Sequence, residues 1–334
     1  MVDILRQSAR RPLIRMVAAA LLLGALLYYA DPSQVVAALL QLPLWFVGAA
    51  LCLYVVCQIL SAWKWQIILR AQGFDASLLR LFNIYMAGMF CNNFLPGSVG
   101  GDVVKAGWLF LDSRRGDISV ASVLLERYLG LAALGIIGLL TIPFVLARTP
   151  PLVALLAAGG ALFLLAIAVV LWSPRIFAVA SALLQACLPQ KLLAPIMRVA
   201  EVLHRYRTHR SALFLCLCLS VATQLVIAAY YWLATDVLGA GVDAVFFFAF
   251  LPTLTLISIV PISIGGVGVR EAAMVAFFSS VGADASIVLA AAIAVHALNT
   301  ALSLYGGVVL VLERRWHSPL PKSAISSLQP QQLP

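Results

Sequence analysis

Long apolar runs, separated by short polar segments, fill almost the whole chain. Six runs are continuous and long enough to cross a bilayer as α-helices, which takes about 20 apolar residues. They cover residues 13–30, 44–69, 118–147, 152–172, 211–235 and 287–312. Two further runs, 81–111 and 244–281, are interrupted near their middle by Pro and Gly. The pattern predicts an all-α polytopic membrane protein with six transmembrane helices and two broken helical segments.

The distribution of Lys and Arg among the polar segments predicts the side of each segment, because basic loops stay on the cytoplasmic side. The N-terminus is basic and Arg314 and Arg315 follow the last run, so both termini are expected in the cytoplasm. Run 81–111 lies between basic segments, and run 244–281 lies between segments without Lys or Arg. Each broken run therefore starts and ends on one side, which predicts two re-entrant helical hairpins that enter from opposite faces. Arg148 is the one loop Arg that this topology leaves outside.

Two polar stretches flank or divide the apolar runs. Residues 175–210 are basic with apolar positions at helical spacing, which predicts an amphipathic helix on the inner leaflet. The tail, 316–334, is rich in Pro, Ser and Gln and is expected to be disordered. No small-residue cleavage signature follows the first run, so it is expected to be a retained span.

The two broken runs carry related motifs. Residues 96–105 (PGSVGGDVVK) align without a gap on residues 261–270 (PISIGGVGVR), at a constant offset of 165. This offset is close to half of the 334-residue chain. A broken-helix motif repeated in opposite orientation is typical of transporters with an inverted-topology repeat. We therefore predict repeat units at 1–150 and 151–315, although run 13–30 maps onto the basic stretch rather than onto a span.

Composition excludes several classes of protein. Hydrophobic residues make up 63% of the chain and charged residues 10%, against roughly 45–50% and about 25% in soluble domains. The net charge of +9 does not indicate a nucleic-acid partner, because the basic residues stand at the ends of apolar runs. No nucleophile–base arrangement, metal-ligand set or nucleotide fingerprint stands out, so we expect no enzymatic activity, no cofactor and no metal.

The repeated motifs point to an anion site. A helix that restarts after a double Gly directs unpaired N–H groups and the positive end of its dipole into the space before it. Lys105 and Arg270 lie about one turn further on, at matching positions. Two such ends that approach from opposite faces would form an anion site near the bilayer midplane. The alternative is that the glycines serve close helix packing and the cations reach an interface.

Other ionisable residues lie within the apolar runs. Arg127 is expected to face a cavity and to contact an anionic group or Asp102. Glu126 and Glu271 fit either a cationic head group or coupling proton, or a role as charge partners of the basic residues. Lys64 marks the inner end of its run in this interpretation, and His296 and Asn299 fit a polar patch between helices.

The motifs also carry a family resemblance. Residues 93–105 with the Glu126–Arg127 pair, and the later motif from Pro261 to Glu271, resemble the signature of the lysylphosphatidylglycerol synthase transmembrane-region family. In the best-known members this region resembles a lipid flippase and is fused to a soluble aminoacyl-transferase domain. No such domain is found in this sequence, so the resemblance implies lipid translocation and not synthase activity. The motifs and the resemblance give these candidate substrate-binding residues: Asn93, Pro96, Gly100, Gly101, Asp102, Lys105, Glu126, Arg127, Ser263, Gly265, Gly266, Arg270 and Glu271.

Three functions fit this sequence. The leading hypothesis is a multi-pass lipid translocase of a bacterial-type plasma (inner) membrane, which moves a phospholipid or lipid-linked head group by alternating access. The second is a secondary transporter of a small soluble anion, which would have a closed aqueous cavity. The third is a non-catalytic membrane subunit that partners a lipid-modifying or glycosyl-transfer enzyme.

Overall fold

Helices account for the regular structure throughout the part of the chain that the structure describes. The computed structural model describes residues 24–29, 31–93, 100–113, 115–173, 206–259 and 267–312, with the single positions 179 and 182. The helices are α1 (Pro32–Leu40), α2 (Leu44–Arg70), α3 (Leu78–Asn92), α4 (Gly100–Ser113), α5 (Gly116–Val145), α6 (Pro151–Trp172), α7 (Arg210–Asp236), α8 (Ala244–Ile259), α9 (Val269–Ser279) and α10 (Ala285–Leu312). Short 3-10 turns follow α5 at Leu146–Arg148 and precede α7 at Tyr206–Thr208.

Four helices are long and apolar enough to cross a bilayer: α2, α5 with its 3-10 turn, α7 and α10. The predicted all-helical membrane protein is therefore confirmed at this level. The run predicted at 152–172 is α6, of which Pro151–Ala166 counts as a shorter apolar helix. Of the predicted span 13–30 only the helical residues 24–29 are described. Most of the basic stretch 175–210 and the whole tail 316–334 lie outside the described residues.

Helices α3 and α4 form a helical hairpin, called hairpin A here. At its open end, Arg80 Nε of α3 pairs with Asp112 Oδ2 of α4 at 2.9 Å. At its closed end, Asn92 Oδ1 accepts a hydrogen bond of 2.6 Å from the Gly101 backbone N–H. The two helices have 15 and 14 residues, so each is about 21–23 Å long. That length falls short of the roughly 30 Å hydrocarbon core of a bilayer.

Helices α8 and α9 form a second hairpin, called hairpin B. The start of α8 packs against the end of α9, with the rings of Phe247 and Phe278 stacked at 4.2 Å. Phe250 meets Phe277 edge-on at 5.1 Å. Aromatic contacts thus hold the two helices of hairpin B together at its open end. At the open end of hairpin A an ion pair has this role.

The two hairpins open towards opposite ends of α5. Hairpin A ends at Ser113, just before α5 begins at Gly116. Hairpin B begins after Asp243, whose carboxylate pairs at 2.7 Å with Arg148 at the far end of α5. The 30 residues of α5 separate these ends by about 45 Å. Arg148, the exception in the predicted topology, therefore lies beside a segment that the sequence also assigns to the outside.

Helix boundaries recur at an offset close to that of the motifs. Helix α7 starts 166 residues after α2 (210 against 44), and α8 starts 166 residues after α3 (244 against 78). Helices α9 and α10 each start 169 residues after α4 and α5. The packing recurs as well, because hairpin A packs against α10 and hairpin B against α5. Hairpin A, in the first half of the sequence, thus packs on the last long helix of the second half. Hairpin B, in the second half, packs on the last long helix of the first half.

Glycine permits both of these close contacts. A Cβ atom on Gly306 of α10 would overlap the backbone of Met86 in hairpin A. A Cβ on Gly138 of α5 would lie 2.6 Å from the ring of Pro252 in hairpin B. Small residues let helix backbones approach closely in a membrane, where dispersion contacts take the place of the hydrophobic effect.

Candidate functional site

A cavity of about 410 Å³ lies between the long helices and the two hairpins. Hairpin A contributes Gly101, Asp102 and Lys105 to its wall, and hairpin B contributes Arg270. The repeated basic residues of the two motifs therefore face one space. Its other polar lining residues include Ser61, Lys64, Tyr85, Asn92, Glu126, Arg127, Thr223, Gln224, Tyr231, Thr255 and Ser258.

Five charged residues form a continuous ion-pair chain along one wall of the cavity. Glu126 bridges two lysines, with Oε1 at 2.8 Å from Lys64 Nζ and Oε2 at 3.2 Å from Lys105 Nζ. Lys105 Nζ also lies 3.0 Å from Asp102 Oδ1. The other carboxylate oxygen of Asp102 pairs with Arg127 Nη1. Each carboxylate thus joins two cations, and the order is Lys64, Glu126, Lys105, Asp102, Arg127.

The chain has a buried end and a cavity-facing end. The side chains of Lys64 and Glu126 are only 4% and 7% exposed. Those of Asp102 and Arg127 are 18% and 26% exposed. Buried charges persist only when they are paired, because desolvation of an isolated ion costs several kcal/mol or more. The buried end therefore depends on its pairing, whereas the Asp102–Arg127 end is open to a ligand in the cavity.

Helix geometry explains how three elements meet in this chain. Asp102 and Lys105 lie three residues apart on α4, so their side chains share one helix face. Adjacent residues on a helix point about 100° apart, so Glu126 and Arg127 of α5 reach different partners. The contact of Arg127 with Asp102 is one of the two that the sequence predicts for it. The ring of Tyr85 adds a cation–π contact, 4.3 Å from Lys105 Nζ.

Arg270 occupies a separate position in the same cavity. Its Nη2 lies 3.0 Å from His296 Nδ1 and 3.4 Å from Glu271 Oε1, and its guanidinium lies 6.0 Å from the ring centre of Tyr231. Its Nε is buried and has no hydrogen-bond partner among the residues that the structure describes. A buried donor without a partner costs free energy, so this N–H favours a polar group or water in the cavity. Asn299, on the same helix as His296, accepts a hydrogen bond from Tyr230.

Glu271 acts as a cap on hairpin B. Its Oε2 accepts a hydrogen bond of 2.6 Å from the backbone N–H of Gly268, which precedes α9. Gly268 has φ +83°, a left-handed conformation that favours glycine. The Glu271 side chain is 2% exposed and does not line the cavity. Its contacts are those of a charge partner and helix cap, one of the two roles that the sequence leaves open.

The remaining predicted site residues fall into two groups. Asn93 lies outside the cavity wall and donates a 2.7 Å hydrogen bond to Ser303 of α10, while Gly100 is the first residue of α4 and half-buried. Pro96, Ser263, Gly265 and Gly266 lie outside the described residues.

Lys64 belongs to the site but is absent from the sequence-based set. In the predicted topology Lys64 only marks the inner end of its run, whereas the structure shows the residue buried against Glu126. The sequence does contain a signal for the burial of Lys64. Polar residues recur at every third position along α2, at Gln58, Ser61 and Lys64, which places them on one face of the helix. Across the described ranges, no group of three or more His, Cys, Asp or Glu side chains is placed to hold a metal ion.

These features define a polytopic helical membrane protein with charged residues around a cavity between its helices. The model of the lysylphosphatidylglycerol synthase TM region matches residues 13–307, and the chain belongs to that family. No curated protein matches the chain at a significant level.

Proposed function

We propose that this protein moves a phospholipid or a lipid-linked head group between the leaflets of a bacterial-type inner membrane. The observation that carries the proposal is the shared cavity, in which the repeated cations of hairpins A and B face one space. Ionisable residues inside a membrane protein are costly and are typical of substrate pathways. The volume of about 410 Å³ lies in the range of small-molecule binding pockets.

The charges of the wall favour an anionic group. Four cations line the cavity (Lys64, Lys105, Arg127 and Arg270) against two carboxylates, Asp102 and Glu126. Glu271 balances Arg270 from outside the wall, which leaves one positive charge in excess. The phosphodiester of a phospholipid carries one negative charge and neutralises this excess. Arginine and lysine are the usual partners of phosphate groups.

Family membership favours a lipid over a soluble substrate. The family is defined on the membrane region of a lipid-modifying synthase, and in that setting a substrate reaches a cavity between helices from the bilayer. The head group would enter the charged cavity while its acyl chains stay among the exposed apolar side chains of the helices. The protein then acts as a transporter rather than an enzyme, and its energy comes from a gradient or from downhill movement.

Alternating access follows from an inverted-topology repeat with two re-entrant hairpins. The recurrence of helix boundaries at offsets of 166 and 169, close to the motif offset, and the recurrence of helix packing support such a repeat. The short helices of hairpin A and the opposite openings of the two hairpins support re-entrance. The moving bodies in this proposal are hairpin A with α10, and hairpin B with α5. The ion-pair chain crosses between these bodies, because Asp102 and Lys105 belong to hairpin A and Glu126 and Arg127 belong to α5.

Loss of a cavity arginine is expected to abolish lipid movement. Arg127→Gln and Arg270→Gln each remove a charged donor from the head-group site, which costs about 1.5–3 kcal/mol, or roughly 10- to 100-fold in affinity. The assay follows fluorescent phosphatidylglycerol between the leaflets of vesicles that contain purified protein. Arg70→Gln is the matched control, because Arg70 pairs with Asp75 at an exposed position on α2.

The same vesicles separate the alternatives. Uptake of labelled inorganic phosphate without lipid movement would favour the soluble-anion transporter. No transport of either, with stable recovery of a lipid-modifying or glycosyl-transfer enzyme alongside the protein, would favour the subunit hypothesis. Lipid movement that persists in both arginine variants would contradict the assigned site.

A further inference from the structure

We propose that the Asp102 carboxylate occupies a phosphate-binding position between Lys105 and Arg127, and that a phosphate-bearing group displaces it there. This inference rests on the proposed function and identifies where in the cavity the anionic part of the substrate binds. In the described conformation Asp102 acts as an internal substitute for that anion. Displacement moves the Asp102 carboxylate away from Arg127 of α5, and the ligand then lies between hairpin A and α5.

The contacts of Asp102 are those expected of a bound phosphate. Its two oxygens contact different cations, with Oδ1 at 3.0 Å from Lys105 Nζ and Oδ2 on Arg127 Nη1. The two non-bridging oxygens of a phosphodiester can take the same two partners. Arginine binds planar carboxylates and phosphates through the same N–H groups. The site is therefore already formed around an anion of the right charge.

Burial distinguishes Asp102 from the second carboxylate of the ion-pair chain. Glu126 is 7% exposed and bridges two lysines at the buried end. Asp102 is 18% exposed, lines the cavity and contacts the most exposed cation of the chain, Arg127. A ligand in the cavity reaches Asp102 first. Displacement of Glu126 would leave Lys64 buried without an acidic partner among the described residues, whereas displacement of Asp102 leaves Glu126 with both of its lysines.

Charge balance keeps the free-energy cost of replacing Asp102 by the ligand low. The ion-pair chain has three cations and two carboxylates. A singly charged phosphodiester that replaces Asp102 at Arg127 keeps the charge around Arg127 unchanged, so no buried cation loses its partner. Lys105 has three N–H donors, so it can contact the ligand and still keep Glu126 and the displaced Asp102 carboxylate, three residues away on α4. After the ligand leaves, Asp102 returns to Arg127 and closes the position again.

The position of Asp102 also couples binding to hairpin movement. Asp102 is in the first turn of α4, next to Gly101, whose N–H is held by Asn92 at the closed end of hairpin A. Arg127 belongs to α5, which packs against hairpin B. The Asp102–Arg127 pair therefore connects the two bodies that the proposed function sets in motion. Its replacement by a ligand removes one of the two ion pairs that the described residues form between hairpin A and α5, and Lys105–Glu126 remains.

Removal of the internal anion is expected to tighten phosphate binding. Asp102→Asn keeps the shape of the side chain but removes the competing charge. We expect the purified variant to bind dihexanoyl phosphatidylglycerol and inorganic phosphate about tenfold more tightly than the unsubstituted protein, as measured by isothermal titration calorimetry. Asp112→Asn on the same helix is the matched control, because Asp112 pairs with Arg80 away from the cavity. It should leave both affinities unchanged.

A second variant keeps the test decisive if Asp102→Asn fails to fold. The double variant Asp102→Asn with Lys64→Met restores the original charge balance and removes a cation from the buried end, which contacts neither Asp102 nor Arg127 and is separated from Lys105 by Glu126. It should show the same gain in affinity. Unchanged or weaker binding of both probes in a folded variant would overturn the inference.

The two probes and a transport assay separate this inference from the proposed function. A gain for both probes shows that the phosphate group is what the position recognises, and a gain for the lipid alone shows that it requires the whole head group. A gain for inorganic phosphate alone supports the position but counts against a lipid substrate. Lipid movement by the unsubstituted protein, with no gain in either variant, would refute the displacement of Asp102 and leave the proposed function standing.

Discussion

Replacement of Glu126 with glutamine is expected to destabilise the protein by about 3–5 kcal/mol, the usual cost of removing one partner from a buried ion pair. Glu126 is the only acidic residue in the described ion pairs that contacts Lys64, and it also contacts Lys105. Without its charge, Lys64 stays buried with no acidic partner, and Lys105 keeps only Asp102. The expected result is a large fall in melting temperature in detergent and a low yield of folded protein.

Two further variants test the reason for this loss. Addition of Lys64→Met to Glu126→Gln should recover most of the stability, because an apolar replacement of a buried ion pair is often close to neutral. Asp75→Asn removes an acidic residue from an ion pair that is exposed on both sides, and it should change stability by less than about 1 kcal/mol. A Glu126→Gln variant as stable as the Asp75→Asn variant would show that the buried pairs do not hold α2, α4 and α5 together.

Replacement of Gly306 with alanine should destabilise the contact between hairpin A and α10. The new Cβ would overlap the carbonyl group of Met86 and lie 2.7 Å from the backbone N of Ala87. Overpacking against side chains costs about 1–3 kcal/mol, and we expect the upper part of this range because backbone atoms cannot turn aside. The loss is measured as a lower melting temperature in detergent.

Gly159 provides the matched control for this substitution. It also lies within an apolar helix, α6, but no neighbouring atom lies within 4 Å of the position that a Cβ would take. Gly159→Ala should therefore leave stability unchanged or raise it by about 0.5–1 kcal/mol, since alanine restricts the unfolded chain more than glycine does. Equal effects of the two substitutions would contradict the close packing of hairpin A on α10.

The sequence predicts the elements of this protein well where a pattern is long or repeated. Apolar runs predict the four long helices, and the duplicated motif predicts that Lys105 and Arg270 are related. The structure places both side chains at one cavity. The predicted contact of Arg127 with Asp102 is present too.

Individual partners are harder to predict, because a charge in an apolar run gives no information on what lies opposite. Lys64 has the same position in its run as a cation at a membrane interface, and only the packing of α2 against α5 shows that it pairs with Glu126. Asn93 stands within the first motif, but its contact is with Ser303, 210 residues away. The packing of each hairpin on the long helix of the other half is likewise absent from any local pattern.

The central claim is that hairpins A and B enter the membrane from opposite faces. Asp75 and Asp243 precede the two hairpins, and each is exposed in an ion pair with one arginine. The decisive measurement introduces Asp75→Cys or Asp243→Cys into a variant without its native cysteines and treats intact and permeabilised cells with a membrane-impermeant maleimide. We predict that Asp243→Cys is labelled in intact cells and Asp75→Cys only after permeabilisation. Labelling of both positions in intact cells, or of neither before permeabilisation, would contradict the account.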